Sequence, residues 1–498
     1  MSELFKKIIS HCKEYGFIFN SSEIYDGLSA VYDYGPLGVE LKNNIKSYWW
    51  DAMVKRNKNI VGIDSSIFMH PDTWKASGHI DAFNDPLIDN KDSKKRYRAD
   101  VLIENHIEKI KNKINKDIKK AKTKFGENFN EKEFITTNQR VLDRQKKIDE
   151  ITLEMNECLE SENLKGIKEL IEKIELKCPL SGTCNWTEVR QFNLMFKTKI
   201  GSNQETSSDI YLRPETAQGI FVNFLNVQKT TRQKIPFGIA QIGKAFRNEI
   251  IARQFIFRMR EFEQMEMQFF IRPGEEDKWY EYWKEKRMDW HVSLGFEKNN
   301  FSFKKHTKLA HYAKSACDIE FKFPFGFKEL EGIHSRSDFD LIQHQKLSGK
   351  KIKYFDSEIN ESFTPFVIET SIGLDRMFLA CLCSSFMIEE KNNRLLLKLP
   401  YKLAPIKIAV FPLTKEDSLI NIANNIYEKL NKKYNCFYEE KDSIGKRYRR
   451  QDAIGTPLCI TVDKGSEQDQ KITIRNRDSM SQERVALSKI EEYISSYF

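Results

Sequence analysis

From Phe257 to Phe269 the chain repeats with a period of two. Phe257, Met259, Glu261, Glu263, Met265, Met267 and Phe269 fall on one side of a strand, and Arg258, Arg260, Phe262, Gln264, Glu266 and Gln268 on the other, because successive side chains of a strand point to opposite faces. The first face is half packing material. The second is a row of charge, amide and one aromatic ring. Burying such a row is costly unless its groups are paired or meet a ligand. The stretch therefore predicts a hairpin strand that is either a solvated edge laced with Arg–Glu pairs or the floor of a polar pocket for something anionic and planar.

Patterning elsewhere predicts four regions and an α+β fold. Within Tyr32–Trp50 a Gly-Pro-Leu-Gly turn leads into an amphipathic helix. Residues from about 100 to 177 are rich in Lys, Glu and Asn, helical, and sparse in apolar positions, which predicts an inserted, solvated helical module. Residues 186–400 return to strand patterns, closing with "PFVIETSIGLDRMFLACLCSSF", a strand running into an apolar helix. After Pro400 and Pro405 a fresh alternation begins: "IKIAVFPL" as a strand, "SLINIANNIYEKLNKK" as a helix, "PLCITVD" and "KITIRNR" as strands, and a closing helix. No internal repeat is visible. The expected domains are 1–99, 100–180, 181–400 and 401–498, the first and third forming one catalytic body.

Composition narrows the class. A chain of 498 residues with 40% hydrophobic residues suits a soluble protein of two to four domains. The net charge of +9 points toward a polyanionic partner, although solvated lysines in a Lys-, Asn- and Ile-rich chain explain it equally well. The first twenty residues have neither the apolar core nor the cleavage site of a leader peptide, and no apolar run reaches membrane-spanning length, so a cytoplasmic protein is expected. Nine scattered cysteines suit a reducing compartment. Cys178 and Cys184 are close together but lack a second ligand pair, and read as ordinary thiols. The nine histidines show no ligand spacing and read as structural.

Several segments place charge where a strand stops or turns: Arg213 and Glu215 in "YLRPETAQG", Glu329 and Glu331 in "KELEGI", and Glu369, Ser371, Asp375 and Arg376 in "ETSIGLDR". With the hairpin, four separated segments then supply arginines and carboxylates to an antiparallel sheet opened on one face as a pocket. No glycine-rich phosphate loop of the Walker or Rossmann kind appears, so a nucleotide would be held by side chains.

These residues carry a resemblance. "FRNE…FRMREFEQ" resembles motif 2 of the class II aminoacyl-tRNA synthetases, "GLDR" before an apolar helix resembles motif 3, and "GPLGVELKNNIKSYWW" resembles motif 1. "SSEIYDGLSAVYDYGPLG", "KKRYRAD", "RQFNLMF", "YLRPETAQGIF" and "IAQIGKAFRNEI" look like the homodimeric glycyl-tRNA synthetases, and "IGKRYRRQDAIGTPLCITVD" with "TIRNRDSM" is similar to that family's anticodon-binding domain. The likeness spans nearly the whole chain and is weakest in the Lys-rich insertion. It implies a class II antiparallel catalytic sheet with a helical insertion and a C-terminal α/β anticodon-binding domain. It also implies ATP-dependent attachment of glycine to tRNA(Gly) through a glycyl-adenylate, Mg²⁺ as cofactor, a homodimer and no membrane.

Site residues follow by the same likeness. Arg247 would hold the α-phosphate and the amino-acid carboxylate, a task for the bidentate guanidinium. Glu249 would accept from the adenine amino group, Phe262 would stack on adenine, and Arg376 would cover the other face near the γ-phosphate. Arg258 would meet the outer phosphates, with Asn248, Phe257, Leu330, Gly373 and Asp375 completing the ATP site. Glu329 would touch ATP and hold Mg²⁺. Glu215, Glu369 and Ser371 would surround the glycine ammonium and α-carbon, with Arg98, Phe262, Gln264, Glu266 and Gly373 nearby. A pocket lined by polar groups against the α-carbon would exclude a methyl group more sharply than a simple methylene difference of about 1–3 kcal/mol. Arg447, Arg449 and Arg450 would meet the tRNA backbone. Arg247 and Arg376 are the catalytic pair, acting by position and charge.

The chain departs from the family's pattern at Ile251-Ala252, where the family often has Ser-Pro or Thr-Pro, and at Thr370, where it commonly has proline. Two rival readings are a non-catalytic relative, which should have lost Arg247, Glu249, Phe262 and Arg376, and a class II synthetase for another amino acid, against which Glu215, Glu369 and Ser371 speak.

Overall fold

The computed structural model describes residues 2–126, 129–201, 207–250, 254–306, 313–392 and 394–498. Ile251 and Ala252, where the motif 2 loop departs from the family pattern, lie at or beyond the edge of these described residues. The chain forms two compact units, residues 1–77, 196–247 and 252–498 in one, and 78–195 with 248–251 in the other.

The first unit is built on a seven-stranded sheet. Its strands are β1 (Ile60–Gly62), β2 (Phe237–Phe246), β3 (Glu261–Ile271), β4 (Phe301–Lys305), β5 (Ser315–Phe323), β6 (Gly326–Ser337) and β7 (Phe366–Gly373), in the order β4-β5-β6-β7-β3-β2-β1. All neighbours are antiparallel except β1 and β2. The period-two pattern holds in β3 from Glu261 onward. Upstream it breaks, because Gln254 and Phe255 take positive φ angles and Phe255–Phe257 forms a single 3₁₀ turn. Within β3, Glu263, Met265, Met267 and Phe269 are buried on the helix-covered side.

Helix α1 (Pro36–Trp50) starts with proline at its first turn and buries Leu41, Ile45 and Trp49, one stripe at helical spacing. Gly38 is required there, since a Cβ would lie 1.9 Å from the Phe17 carbonyl oxygen. Helix α2 (Glu276–Ser293) packs on β6 and β7, and α3 (Leu374–Ser385) packs on α1 and β3. Helix α3 is apolar nearly all round and fully buried through Met377, Phe378, Leu379 and Leu382. One sheet face is sealed by these helices; the other carries a second apolar cluster at one end, with Phe221, Ile239, Phe270 and Val367, and its remaining length bears polar side chains.

A five-stranded sheet closes the same unit. Ile408–Pro412 is flanked in parallel by Cys436–Tyr438 and Leu458–Val462, and Lys471–Asn476 and Gln482–Ala486 add antiparallel. Helix Asp417–Asn431 covers it through Leu419, Ala423, Ile426 and Leu430.

The second unit carries a core of its own. Strand Asn84–Asn90 pairs with Lys95–Arg98 on one side and Arg190–Asn193 on the other. Helices Ala99–Phe125, Gln139–Glu160 and Leu164–Lys173 bury Ile103, Ile107, Ile110, Ile148, Ile151 and Leu170 together. The helical segment expected over 100–180 thus sits inside a larger body, because strands before and after it close one sheet. Cys178 is buried against Tyr97 and Ser93, while Cys184 is exposed, and both are free thiols. Among the described residues no helix is long and apolar enough to cross a membrane.

Candidate active site

The open face of the sheet is ordered by strand register. Residues paired directly across antiparallel strands point to the same side. On β3 and β7, Gln264 faces Gly373, Glu266 faces Ser371 and Gln268 faces Glu369, and on β6 Gly332 faces Ser371 and His334 faces Glu369. The rows so formed are joined by hydrogen bonds. The Gln264 amide donates to Ser371 Oγ at 3.2 Å and accepts from the Thr216 N–H at 3.2 Å. The Gln268 amide donates to both Glu266 and Glu369 at 2.7 Å. Thr216 donates to Glu266 through its hydroxyl. Arg336 donates to Glu369 at 2.9 Å and to Asp340 through a two-pronged contact at 2.8 and 2.9 Å. Gln218 bridges Glu215 and Asp340 at 3.0 Å each.

Acidic groups gather in this network. Glu215, Glu266, Glu369 and Asp340 lie in it, with Arg336 and the imidazole of His334 both bonded to Glu369. Burial pushes the Glu266 carboxyl well above the ordinary carboxylate range, and neighbouring Glu369 and Glu215 add to the rise. Burial works against ionised Glu369 as well, but Arg336 and His334 outweigh it and hold this carboxyl well below its usual range. His334 is shifted up, burial being overcome by its 2.6 Å bond to Glu369. Two carboxyls on one floor are thereby driven in opposite directions, Glu266 toward its protonated form and Glu369 toward its anion, a pattern of sites that meet a ligand. An ammonium-sized cation suits this acidic floor.

The arginines lie along the same face. Arg247 donates through Nε to the Pro214 carbonyl at 3.1 Å, and its guanidinium lies 5.2 Å from the centre of the Phe262 ring. Arg376, in the first turn of α3, pairs with Glu329 at 3.0 Å and stacks 4.5 Å over Phe257. Arg376 holds the Glu329 carboxyl below its usual range, with Arg247 contributing, so this exposed carboxylate stays ionised. Two guanidiniums, each beside an aromatic ring, suit a planar anionic ligand such as a nucleotide.

Not every expected residue joins this face. Asp375 is buried on the helix side, where it pairs with Lys42 at 3.1 Å and accepts from the Glu263 N–H at 2.7 Å and from the Tyr34 hydroxyl. It is a strut beneath the floor, and its role as an ATP contact is corrected accordingly. Leu330 points into the core with 1% of its surface exposed, because neighbours on a strand face opposite ways. Only its backbone is available to a nucleotide. Phe257 is buried beneath Arg376 and supports that guanidinium. Arg258 is exposed next to the 3₁₀ turn. Arg98, Asn248 and Glu249 belong to the second unit, in which Arg98 is held by Asp85 at 2.9 Å and Asp100 at 2.6 Å.

Arg447 requires correction too. It is 1% exposed and donates to the carbonyls of Pro412, Glu439 and Leu413 at 2.7–3.2 Å. Its guanidinium ties strand ends together and is not presented to a nucleic acid. Arg449 is exposed, and Arg450 pairs with Asp442 and Glu439 at 2.7 and 2.9 Å. Conversely, sequence reasoning passed over Gln218, His334, Arg336 and Asp340. The run "HSRSDFD" carries three of them, and two charges at i, i+4 flanking a predicted strand end were the available signal.

Comparison with known proteins agrees with this architecture. Residues 196–386 match the tRNA synthetase class II core domain (G, H, P, S and T), residues 85–194 the glycyl-tRNA synthetase insertion domain 1, and residues 407–497 the anticodon binding domain. A glycine–tRNA ligase of Chlorobaculum tepidum is 49% identical over 98% of this chain and 99% of its own length. Glycine–tRNA ligases of Staphylococcus aureus are 46% identical over 98% of this chain and 97% of theirs. With a matching core, insertion and anticodon-binding domain and near-full-length relatives, the chain belongs to the glycine–tRNA ligase family of class II aminoacyl-tRNA synthetases.

Proposed function

We infer that the protein activates glycine with ATP and transfers it to tRNA(Gly). The observation that carries the reading is the largely buried acidic floor of Glu215, Glu266 and Glu369 in the same unit as Arg247, Phe262 and Arg376. The acidic end suits the glycine ammonium, and the arginine end suits the phosphates and the glycine carboxylate. Ser371 and the Gln264 amide stand between them and leave little room at the α-carbon.

No nucleophilic side chain is needed. The glycine carboxylate attacks the α-phosphorus in line and pyrophosphate leaves. Arg247 orients the carboxylate and α-phosphate, and Arg376 takes up charge on the leaving group. The terminal hydroxyl of the tRNA then attacks the adenylate carbonyl and AMP departs. The exposed carboxylate of Glu329, kept ionised by Arg376, is a hard oxygen ligand that fits Mg²⁺, which would supply further neutralisation at the phosphates. We assign Arg449 and Arg450 to tRNA backbone contact, the segment of α1 to a homodimer interface, and the working compartment to the cytoplasm.

Amino-acid-dependent ATP–pyrophosphate exchange tests the reading, with each of the twenty amino acids offered in turn, with and without tRNA. Exchange with glycine only is expected. Exchange with another amino acid would refute the pocket assignment, and none with any would refute the enzyme.

A further inference from the structure

Two polar side chains that the chemistry above does not use, His306 and Asp318, meet His334, whose ring is bonded to Glu369 on its other side. His306, Asp318 and His334 place their ligand atoms within 4.8 Å of one another. Register explains the convergence. His306 donates its N–H to Ala316 at 3.0 Å just beyond the end of β4, Ala316 faces His334 on β6, and His334 faces Glu369 on β7. In the next row Asp318 faces Gly332. The residues in the middle are small. Ala316 has only a methyl, and a Cβ on Gly332 would come within 2.9 Å of the His334 ring. The absence of larger side chains there lets the His334 ring lie over Gly332, toward Asp318 and His306.

We propose that His306, Asp318 and His334 form a binding site for a divalent transition-metal cation of the Zn²⁺ type. Two nitrogens and one carboxylate oxygen with open positions are the donor set such ions take, whereas Mg²⁺ prefers oxygen throughout. Bonds of about 2.0–2.2 Å place ligands about 3–3.5 Å apart. His306 Nε2 already lies 2.9 Å from Asp318 Oδ2, so closing the set takes a modest side-chain rotation. The outer shell is built. His334 Nδ1 is held by Glu369 at 2.6 Å, which turns the other ring nitrogen away from Glu369 and fixes the tautomer that can bind metal. The ion would thus act on the acidic pocket through the His334–Glu369 bond. The proposal does not depend on which amino acid the pocket takes.

Full-length protein stripped with chelator and desalted is titrated with Co²⁺, followed by visible absorbance, and with Zn²⁺ against a chromophoric chelator. One ion per chain is expected, with a nitrogen- and oxygen-ligated d–d spectrum and no thiolate charge-transfer band. His306→Gln and Asp318→Asn should each weaken binding by more than about 100-fold, since outer-shell losses already cost 10–100-fold. Absence of saturable binding, a thiolate band, or binding that both variants preserve would overturn the site. The wild-type spectrum decides the matter by itself if a variant does not fold.

Discussion

Glu266 and Glu369 have similar surroundings and should respond oppositely to the same substitution. Glu369 is the anion of the floor, with three donors at 2.6–2.9 Å from His334, Gln268 and Arg336. Glu369→Gln keeps its shape but removes the charge that compensates Arg336, and turns an amide NH₂ toward a donor. Breaking a buried pair in this way costs about 3–5 kcal/mol. At a urea dependence of roughly 3 kcal/mol per molar, the unfolding midpoint of the catalytic unit should fall by about 1–1.7 M at pH 7. Glu266 is instead held protonated by burial and by its carboxylate neighbours. Glutamine imitates that form in shape and charge, accepting from Gln268 where Oε1 does and placing its NH₂ against the Thr216 hydroxyl, which now donates to Oε2 and would rotate to accept. Below about pH 4.5, where folded and unfolded states both hold the proton, Glu266→Gln should therefore change stability by less than about 1 kcal/mol, the cost of one exchanged neutral hydrogen bond. The pH dependence sharpens the contrast. A carboxyl with a raised folded pKa contributes stability present below its unfolded value, here about 4.5, and lost as pH climbs through the folded value. Glu266→Gln removes that loss, so the variant should gain on the wild type as pH rises from 4.5. Glu369, with a lowered pKa, contributes above the unfolded value and loses its contribution on acidification, so the Glu369→Gln deficit should shrink at low pH. Both variants should lose glycine affinity by about 10–150-fold, the 1.5–3 kcal/mol of a charged hydrogen bond. Tryptophan-fluorescence urea melts at several pH values, with glycine dependence of pyrophosphate exchange, measure both. A Glu266→Gln variant as unstable as Glu369→Gln, or a difference flat in pH, would refute a protonated Glu266.

The same electrostatics predict that binding of glycine, or of a non-hydrolysable glycyl-adenylate analogue, ionises Glu266 against the incoming ammonium. Calorimetry in buffers of different ionisation enthalpy should then detect proton release near neutral pH, and net uptake would contradict it. Arg376→Lys keeps a charge but loses the planar fork that lies 4.5 Å over Phe257 and reaches Glu329, and kcat/KM for ATP in the exchange reaction should drop by roughly 10–150-fold, from the 1.5–3 kcal/mol of one charged hydrogen bond. Lys42→Met strands Asp375 and weakens the hold on Glu263, which Lys42 and Lys46 grip at 2.6 and 2.7 Å, and should destabilise the catalytic unit by about 3–5 kcal/mol in chemical unfolding. Arg447→Ala should destabilise the C-terminal domain, whereas Arg449→Ala should leave its melting unchanged and lower the salt slope of tRNA binding by about one.

Local periodicity carried the parts of this fold that depend on neighbours in sequence. The polar face of β3, the turn into α1 and the apolar run of α3 were readable because strand and helix periods act over a few residues. Contacts set by pairing distant strands were not readable. Nothing in "HSRSDFD" says that His334 will face Glu369, since that depends on the β6–β7 register and its irregularity between Ser335 and Ser337. The histidines are far apart along the chain and converge only when β4, β5 and β6 are laid side by side. Junctions misled in a different way. Asp375 and Arg376 are adjacent at the strand-to-helix turn, where successive side chains diverge by about 100°. The arginine reaches the open face and the aspartate the sealed one. Leu330 and Glu329 divide between core and surface by strand alternation.

That division explains why the motif residues are charged on both sides of the sheet. Glu263 and Asp375, with Lys42 and Lys46, form a clamp beneath the floor that fixes the start of α3 against α1 and β3. Arg376 is the next residue along that helix, so the clamp sets where its guanidinium stands over Phe257. Glu266, Glu369 and Arg336 do the equivalent for the upper face, through amides that each bridge two groups. Buried charge is tolerated below because it is fully paired. Above, carboxyls crowd so closely that burial and its neighbours push Glu266 toward its protonated form, and this crowding marks the face at which a cationic ligand group is accommodated.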